Sequence, residues 1–482
     1  MSVRGHPGLR GEGCRSDTLN NAMNHKLHIV FLFGALVPAG SAYGQSSALK
    51  EGSSSAIDSR PAEALFEEAD SYLTRKYVEF NKQKLPYDPK LEAKTRQEQR
   101  DLAAKDAVTL QARKSLKDDD RYYLGMLEHL AGNADAALES MRLFLKNDSD
   151  GEKSQTARNI VVLYAIKKDL VPEAEAAVAE YVRHKPQNIE DHYRMELLIT
   201  DALYRSQEYG RMADHAKEMF ADAKIFSVEH KSDVFKRDDM LFKSASLLSE
   251  GYAKSNRKQA AIATLEELRG LAMSLPSGNL YKLATIRLTS IDPTAGVHSS
   301  NGSVGLQRSG PPEILASQWI DQAPKKLADL RGQVVLLDFW AHWCGPCRYT
   351  FPKLELWHES YKGKGLVILG LTNYFGEANG KQLTRGEELA YLRDFKKRNR
   401  LSYGFAIADS HANDLNYGVS SIPMSFLIDR RGVLRFISMG ADDSEMRALG
   451  EMIKKLTEEP SDGKTDAGTE GSNAMKSGLK GQ

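Results

Sequence analysis

At 482 residues the chain is too long for one ordinary core, so two folded units are expected. Charged residues make up 27% and nearly cancel, with 66 Lys plus Arg against 65 Asp plus Glu. No global field exists to gather nucleic acid or an anionic membrane, and nucleic-acid binding is set aside.

The first element is a targeting signal. Starting at Met23, a short basic stretch (Asn24, His25, Lys26) precedes an apolar run from Leu27 to Val37, then Pro38 and small residues up to Gly44. That order describes a secretory signal peptide over 23–44, cleaved after Gly44 or Ala42. The run is shorter than the roughly 20 apolar residues that span a bilayer, so a retained membrane anchor is the weaker reading. Residues 1–22 then precede the true start. The chain holds three cysteines, Cys14, Cys344 and Cys347, and the exported form would keep only the last two. A lone pair three residues apart fits a dedicated redox couple better than a structural disulfide framework.

Residues 45–60 are rich in Ser and Gly and read as a flexible lead-in. From 61 to 291 helix formers dominate, Gly is sparse, and apolar residues recur every three or four positions, which predicts an all-helical domain. Short polar turns stand before helical stretches at Gly132-Asn133, Lys168-Asp169-Leu170, Ser206-Gln207-Glu208 and Ser255-Asn256-Arg257. With the Ala residues that follow them, these units resemble degenerate tetratricopeptide repeats, and an irregular helical bundle is the alternative. No metal site is expected here, because His129, His184, His192, His215 and His230 are not spaced as a ligand set. A concave helical stack would instead offer a docking surface for a protein partner.

Residues 292–312, rich in Ser, Gly and Pro, read as an interdomain linker. Beyond it, Val334-Val335-Leu336-Leu337-Asp338-Phe339-Trp340 is a buried strand that leads into Ala341-His342-Trp343-Cys344-Gly345-Pro346-Cys347 and then into helical spacing. The cysteine pair therefore sits where a strand turns into a helix N-terminus. Unpaired N–H groups and the helix dipole there favour a thiolate, so Cys344 is expected to be the exposed attacking nucleophile and Cys347 the more buried resolving thiol. Asp338, a carboxylate within an apolar strand, is expensive to bury unless paired or protonated, which points to proton handling; an exposed strand-edge residue is the alternative. Residues 458–482 lack the apolar content for a core and read as a disordered tail.

Together these segments make residues 313–457 resemble a thioredoxin domain, most similar to the TlpA-type branch of exported thiol-disulfide oxidoreductases. The likeness rests on the Leu327–Leu336 entry, the cysteine motif, Pro352 within the following helix, and Gly418-Val419-Ser420-Ser421-Ile422-Pro423 before a strand. The resemblance implies an α/β thioredoxin fold, a central mixed sheet flanked by helices, behind the all-α N-terminal domain. It implies a cis bond before Pro423, with the Ile422 backbone pairing with an extended peptide beside the cysteines. Trp343, Gly345 and Pro346 would line the same substrate surface, and Asp338 would assist deprotonation of Cys347. In thioredoxin itself the active thiol titrates near 7. The Gly345-Pro346 dipeptide is that of reducing thioredoxins, whose potential near −270 mV lies about 150 mV below that of the oxidant DsbA. The expected function is thus reduction or isomerisation of protein disulfides, with electrons from a membrane-bound donor and no cofactor beyond the dithiol.

Two other functions stay open. A metal-binding module would need more ligands than one Cys-x-x-Cys offers, with His358 or His411 poor substitutes. An interaction scaffold would leave the biological work to the helices. A peroxidase would need a peroxidatic Cys in a Pro, Thr and Cys context that the sequence lacks.

Overall fold

The computed structural model describes residues 59–293 and 310–459. The proposed signal, most of the lead-in, the middle of the linker, the tail from 460 and Cys14 lie outside the described residues.

Among the described residues the first part is helical: α1 (Ala62–Asp70), α2 (Tyr72–Lys82), α3 (Pro89–Gln111), α4 (Asp118–Ala131), α5 (Ala134–Leu145), α6 (Glu152–Lys167), α7 (Val171–Arg183), α8 (Ile189–Arg205), α9 (Tyr209–Glu229), α10 (Val234–Lys254), α11 (Lys258–Ser274) and α12 (Gly278–Ile291). The four polar turns read from sequence are the α4/α5, α6/α7, α8/α9 and α10/α11 connections. Each contains a residue in the left-handed region, Gly132, Asp169, Gln207 and Asn256, with φ of 84°, 56°, 62° and 61°. One such residue per turn reverses the chain within three positions and lets successive helices pack side by side.

The second part runs β1 (Gln318–Ile320), β2 (Val334–Phe339), α13 (Gly345–Tyr361), β3 (Leu366–Asn373), a small hairpin of β4 (Glu377–Ala378) and β5 (Lys381–Gln382), α14 (Arg385–Arg398), β6 (Gly404–Ala408), α15 (Ala412–Asn416), β7 (Met424–Ile428), β8 (Leu434–Met439) and α16 (Asp443–Glu458). Six strands form one mixed sheet in the order β1-β6-β3-β2-β7-β8. β2 pairs in parallel with β3 and antiparallel with β7, so it is central, and all six of its residues are buried. A strand covered on both faces reads as a continuous apolar run, which is why it was visible in the sequence.

Alternation along β2 assigns its two faces. Val334, Leu336 and Trp340 join a cluster with Cys344, Cys347, Phe351 and Leu354, on the side of α13. Val335, Leu337 and Phe339 join Met424, Phe426 and Tyr417, and the same cluster continues through Leu280, Ala284 and Leu288 of α12 and Leu268 and Leu271 of α11. One core therefore passes from the sheet into the helical part. At the junction Gly278 leaves no room for a side chain, since a Cβ there would lie 2.1 Å from Met424 Sδ and 3.0 Å from Phe426 Cζ.

Candidate active site

Cys344 is the N-cap of α13, Pro346 occupies its first turn, and Cys347 follows at the third helical position. Proline is tolerated there because first-turn amides have no intrahelical partner. The two cysteines form a disulfide, with Cα atoms 5.3 Å apart. The Cys347 amide donates to Cys344 Sγ at 3.1 Å, so one otherwise unpaired helix N–H already points at the sulfur that would carry negative charge after reduction. α13 continues through Pro352, which withdraws the amide that would have bonded to the Arg348 carbonyl.

The expected exposure of Cys344 needs correction. It retains 4% of its surface and Cys347 none, so the N-terminal sulfur is the more accessible of two buried atoms. It belongs to a buried cluster with Trp340, Ala341, Cys347 and Phe351, while Gly345 and Pro346 are exposed and Trp343 is 55% exposed with its ring edge-on to Phe375 at 5.6 Å. Trp340 faces inward, 4.7 Å from Phe405 and 5.3 Å from Phe395 between ring centroids. Gly370 on β3 makes room for it, because a Cβ there would come 2.8 Å from Trp340 Nε1.

Asp338 is 1% exposed, which excludes the strand-edge alternative. Register places it between Gly370 on β3 and Ser425 on β7, and alternation turns it toward the α13 side, the side of Cys347. Ser425 Oγ donates to Asp338 Oδ1 at 2.8 Å, while Oδ2 is buried without a hydrogen-bond partner. Burial raises the Asp338 pKa to about 7, against the lowering effect of the Ser425 hydrogen bond. A carboxyl poised near neutrality can take or return a proton under working conditions. Tyr403 also feels this carboxylate; burial first, and then the Asp338 charge, push its hydroxyl well above the ordinary tyrosine range.

The Ile422–Pro423 peptide is cis. β7 begins at Met424, opposite Phe339, so Pro423 stands at the end of β2 from which the cysteine turn emerges. Ile422 packs against the cluster that contains both cysteines.

His342 is buried beside the cysteine turn. It is 5% exposed, edge-on to Phe375 at 5.5 Å and Tyr391 at 5.4 Å, and burial lowers its pKa, so the ring is neutral at pH 7. Phe375 and Tyr391 belong to the segment between β3 and β6. Glu388 clamps that segment by accepting from the Phe375 and Gly376 amides at 2.8 and 2.9 Å. Glu387 closes a capping box with Thr384 at the start of α14. The β4–β5 hairpin, α14 and the cysteine turn enclose a cleft of about 500 Å3 lined by His342, Trp343, Arg348, Tyr391 and Arg398 among others. Sequence reasoning missed Ser425, Tyr403, Phe375 and Tyr391. Only Ser425 carried a signal, as the one polar residue in the Met424–Ile428 run. Among the described residues no three His, Cys, Asp or Glu side chains are grouped as a metal ion would require.

Residues 313–437 match the AhpC/TSA family. The chain is 31% identical over 132 residues to the thiol-disulfide oxidoreductase ResA of Bacillus thuringiensis subsp. konkukian, covering 27% of this chain and 68% of that protein. It is 28% identical over 141 residues to the thioredoxin-like protein YneN of Bacillus subtilis, covering 29% of this chain and 76% of the relative. The protein DipZ of Mycobacterium tuberculosis is 31% identical over 151 residues, which are 30% of this chain and 20% of DipZ, so the chain spans about a fifth of that relative's length. A putative thiol:disulfide interchange protein DsbE from Chlorobium tepidum, solved by crystallography, shares 28% identity over 31% of this chain and 95% of its own, with a TM-score of 0.26. With its cysteine pair at the helix N-cap above a buried acid, the C-terminal part of this chain belongs to the AhpC/TSA family of thioredoxin-like proteins, among the ResA-type thiol-disulfide oxidoreductases.

Proposed function

We propose that the chain reduces or isomerises disulfides of other proteins outside the cytoplasm. The observation that carries this reading is the Cys344–Cys347 pair at the start of α13, on the side of the sheet that holds the protonatable Asp338. In the reduced protein, the Cys344 thiolate attacks one sulfur of the substrate disulfide. A mixed disulfide forms and the other substrate sulfur leaves as thiolate. Cys347 then gives its proton to Asp338 and attacks Cys344, which closes the Cys344–Cys347 bond and releases the second substrate thiol. Two electrons pass to the substrate, and a dithiol donor, which we place in the membrane, must return them. Isomerisation ends at the mixed disulfide, when a second substrate thiol displaces Cys344. Trp343, Gly345 and Pro346 form the exposed rim over which a substrate chain would pass, and Ile422 beside cis-Pro423 offers the backbone it would pair with.

The extracytoplasmic placement is supported by the signal-like run at 27–37 and by the single cysteine pair that an exported chain would retain. No helix among the described residues is long and apolar enough to cross a membrane. The reduction potential tests the direction. A value near −270 mV supports the reductant, and one near −120 mV reverses the assignment to an oxidant.

A further inference from the structure

Among the described residues, the first turn of α12 brings the helical part against the chain segment that precedes cis-Pro423. Residues 417–421, the loop that leads into cis-Pro423, lie against that turn. The Gly278 amide donates to the Tyr417 carbonyl at 2.9 Å and the Asn279 amide to the Gly418 carbonyl at 2.6 Å. Ser420 Oγ donates to Asn279 Oδ1 at 2.8 Å, and Lys282 Nζ donates to Ser421 Oγ at 3.0 Å. Ser277 caps the turn by accepting from the Leu280 amide and donates its hydroxyl to Asp238 of α10. Gly418 has φ of +54°, and a Cβ there would lie 2.6 Å from Ser277 Oγ, so the approach requires glycine twice over. The opening amides of a helix normally turn to water or to a side-chain cap. Here two of them hold consecutive carbonyls of a loop more than 130 residues away in the chain.

We propose that Asn279 and Lys282 of α12 are positioning residues for substrate: they fix the 417–421 loop so that Ile422 meets an extended polypeptide disulfide in a ready-made conformation. The inference rests on the function proposed above and adds to it a task for the helical part. A loop ordered in advance spares the substrate the entropy of ordering it, so the tether acts on affinity for a polypeptide. It leaves the sulfur chemistry alone, because neither residue touches Cys344 or Cys347.

The full chain carrying Asn279→Ala and Lys282→Ala, compared with wild type, tests this. Expected are a rise of about fivefold in KM for insulin disulfides, as loss of such hydrogen bonds allows, and a kcat within about twofold. The rate with the small disulfide 5,5′-dithiobis(2-nitrobenzoate), which has no chain to align, should match wild type. Deuterium exchange across 417–423 should quicken. Asn279→Asp, which still accepts from Ser420, should keep the wild-type KM when made alone. Faster exchange with an unchanged KM would overturn the proposal, and so would an equal fall in the rates with both disulfides. Wild-type protein inert toward both would instead remove the oxidoreductase reading itself, and the exchange data would still report whether the tether exists.

Discussion

The two faces of the sheet are built on opposite rules. Toward the helical part, Val335, Leu337, Phe339, Leu369, Leu371, Met424 and Phe426 are all apolar and tightly packed. Toward α13, the buried residues include polar atoms without hydrogen-bond partners: Asp338 Oδ2, Trp340 Nε1, Thr372 Oγ1 and the Tyr403 hydroxyl. Buried unpaired polar groups cost stability, so their gathering on one face, beside the disulfide, marks where the fold gives up stability for chemistry. The opposite face, anchored on α11 and α12, supplies the stability that makes this tolerable.

The largest expected effect breaks the reactive face without touching the other. Cys344→Ser should lower insulin reduction by at least about a thousandfold while leaving the urea midpoint near that of the reduced wild type. Cys347→Ser should instead accumulate the mixed disulfide on Cys344, visible by mass spectrometry. The structural face should fail in the converse manner. Phe426→Ala removes a fully buried ring that lies edge-on to Phe339 at 5.5 Å and Tyr417 at 5.0 Å. It should cost about 3–5 kcal/mol in denaturant unfolding.

Asp338→Asn sharpens the contrast, because it should stabilise the protein and impair it together. The Asp338 pKa is raised to about 7 from an ordinary 3.8, so the folded chain holds this proton more tightly than the unfolded chain does. Folding therefore weakens as pH rises from about 4 to 7 and stays flat above. The variant should gain up to about 4 kcal/mol above pH 7 and nothing below pH 4, with slower release of the mixed disulfide.

A smaller effect belongs to the helical part alone. Burial works against a charge on His192, but hydrogen bonds to Asp222 at 2.7 Å and to Glu196 outweigh it and lift its pKa to about 10. A raised histidine pKa gives stability that is full below about 6.5 and is lost as pH climbs toward 10. His192→Gln should remove that pH dependence, up to about 3 kcal/mol between pH 6.5 and 9.5, measured as urea midpoints at the two pH values.

Much of the reactive face was legible because its signals are local. The Val334–Phe339 run, the cysteine spacing, Pro346 in the first helical turn and Asp338 in an apolar strand each show within a dozen residues. The four helix turns were visible for the same reason, as polar residues that tolerate positive φ. What stayed hidden depends on distant pairing. Nothing near Met424 or Gly278 says that they touch. Cys344 looked exposed because the buried cluster that holds it also draws on Leu392, Phe395 and Phe405, which lie far along the chain and carry no local signal of that contact. The tie between α12 and the 417–421 loop uses backbone amides, which have no letter in the sequence.

The central claim is that Cys344 is the sulfur that exchanges with substrate. Mixing the reduced full chain carrying Cys347→Ala with insulin and resolving the adducts by mass spectrometry tests it directly. The account predicts a covalent adduct on Cys344, and none on Cys347 when Cys344→Ala is treated in the same way. An adduct on Cys347 alone, or none in either variant while wild type still turns over, would contradict it.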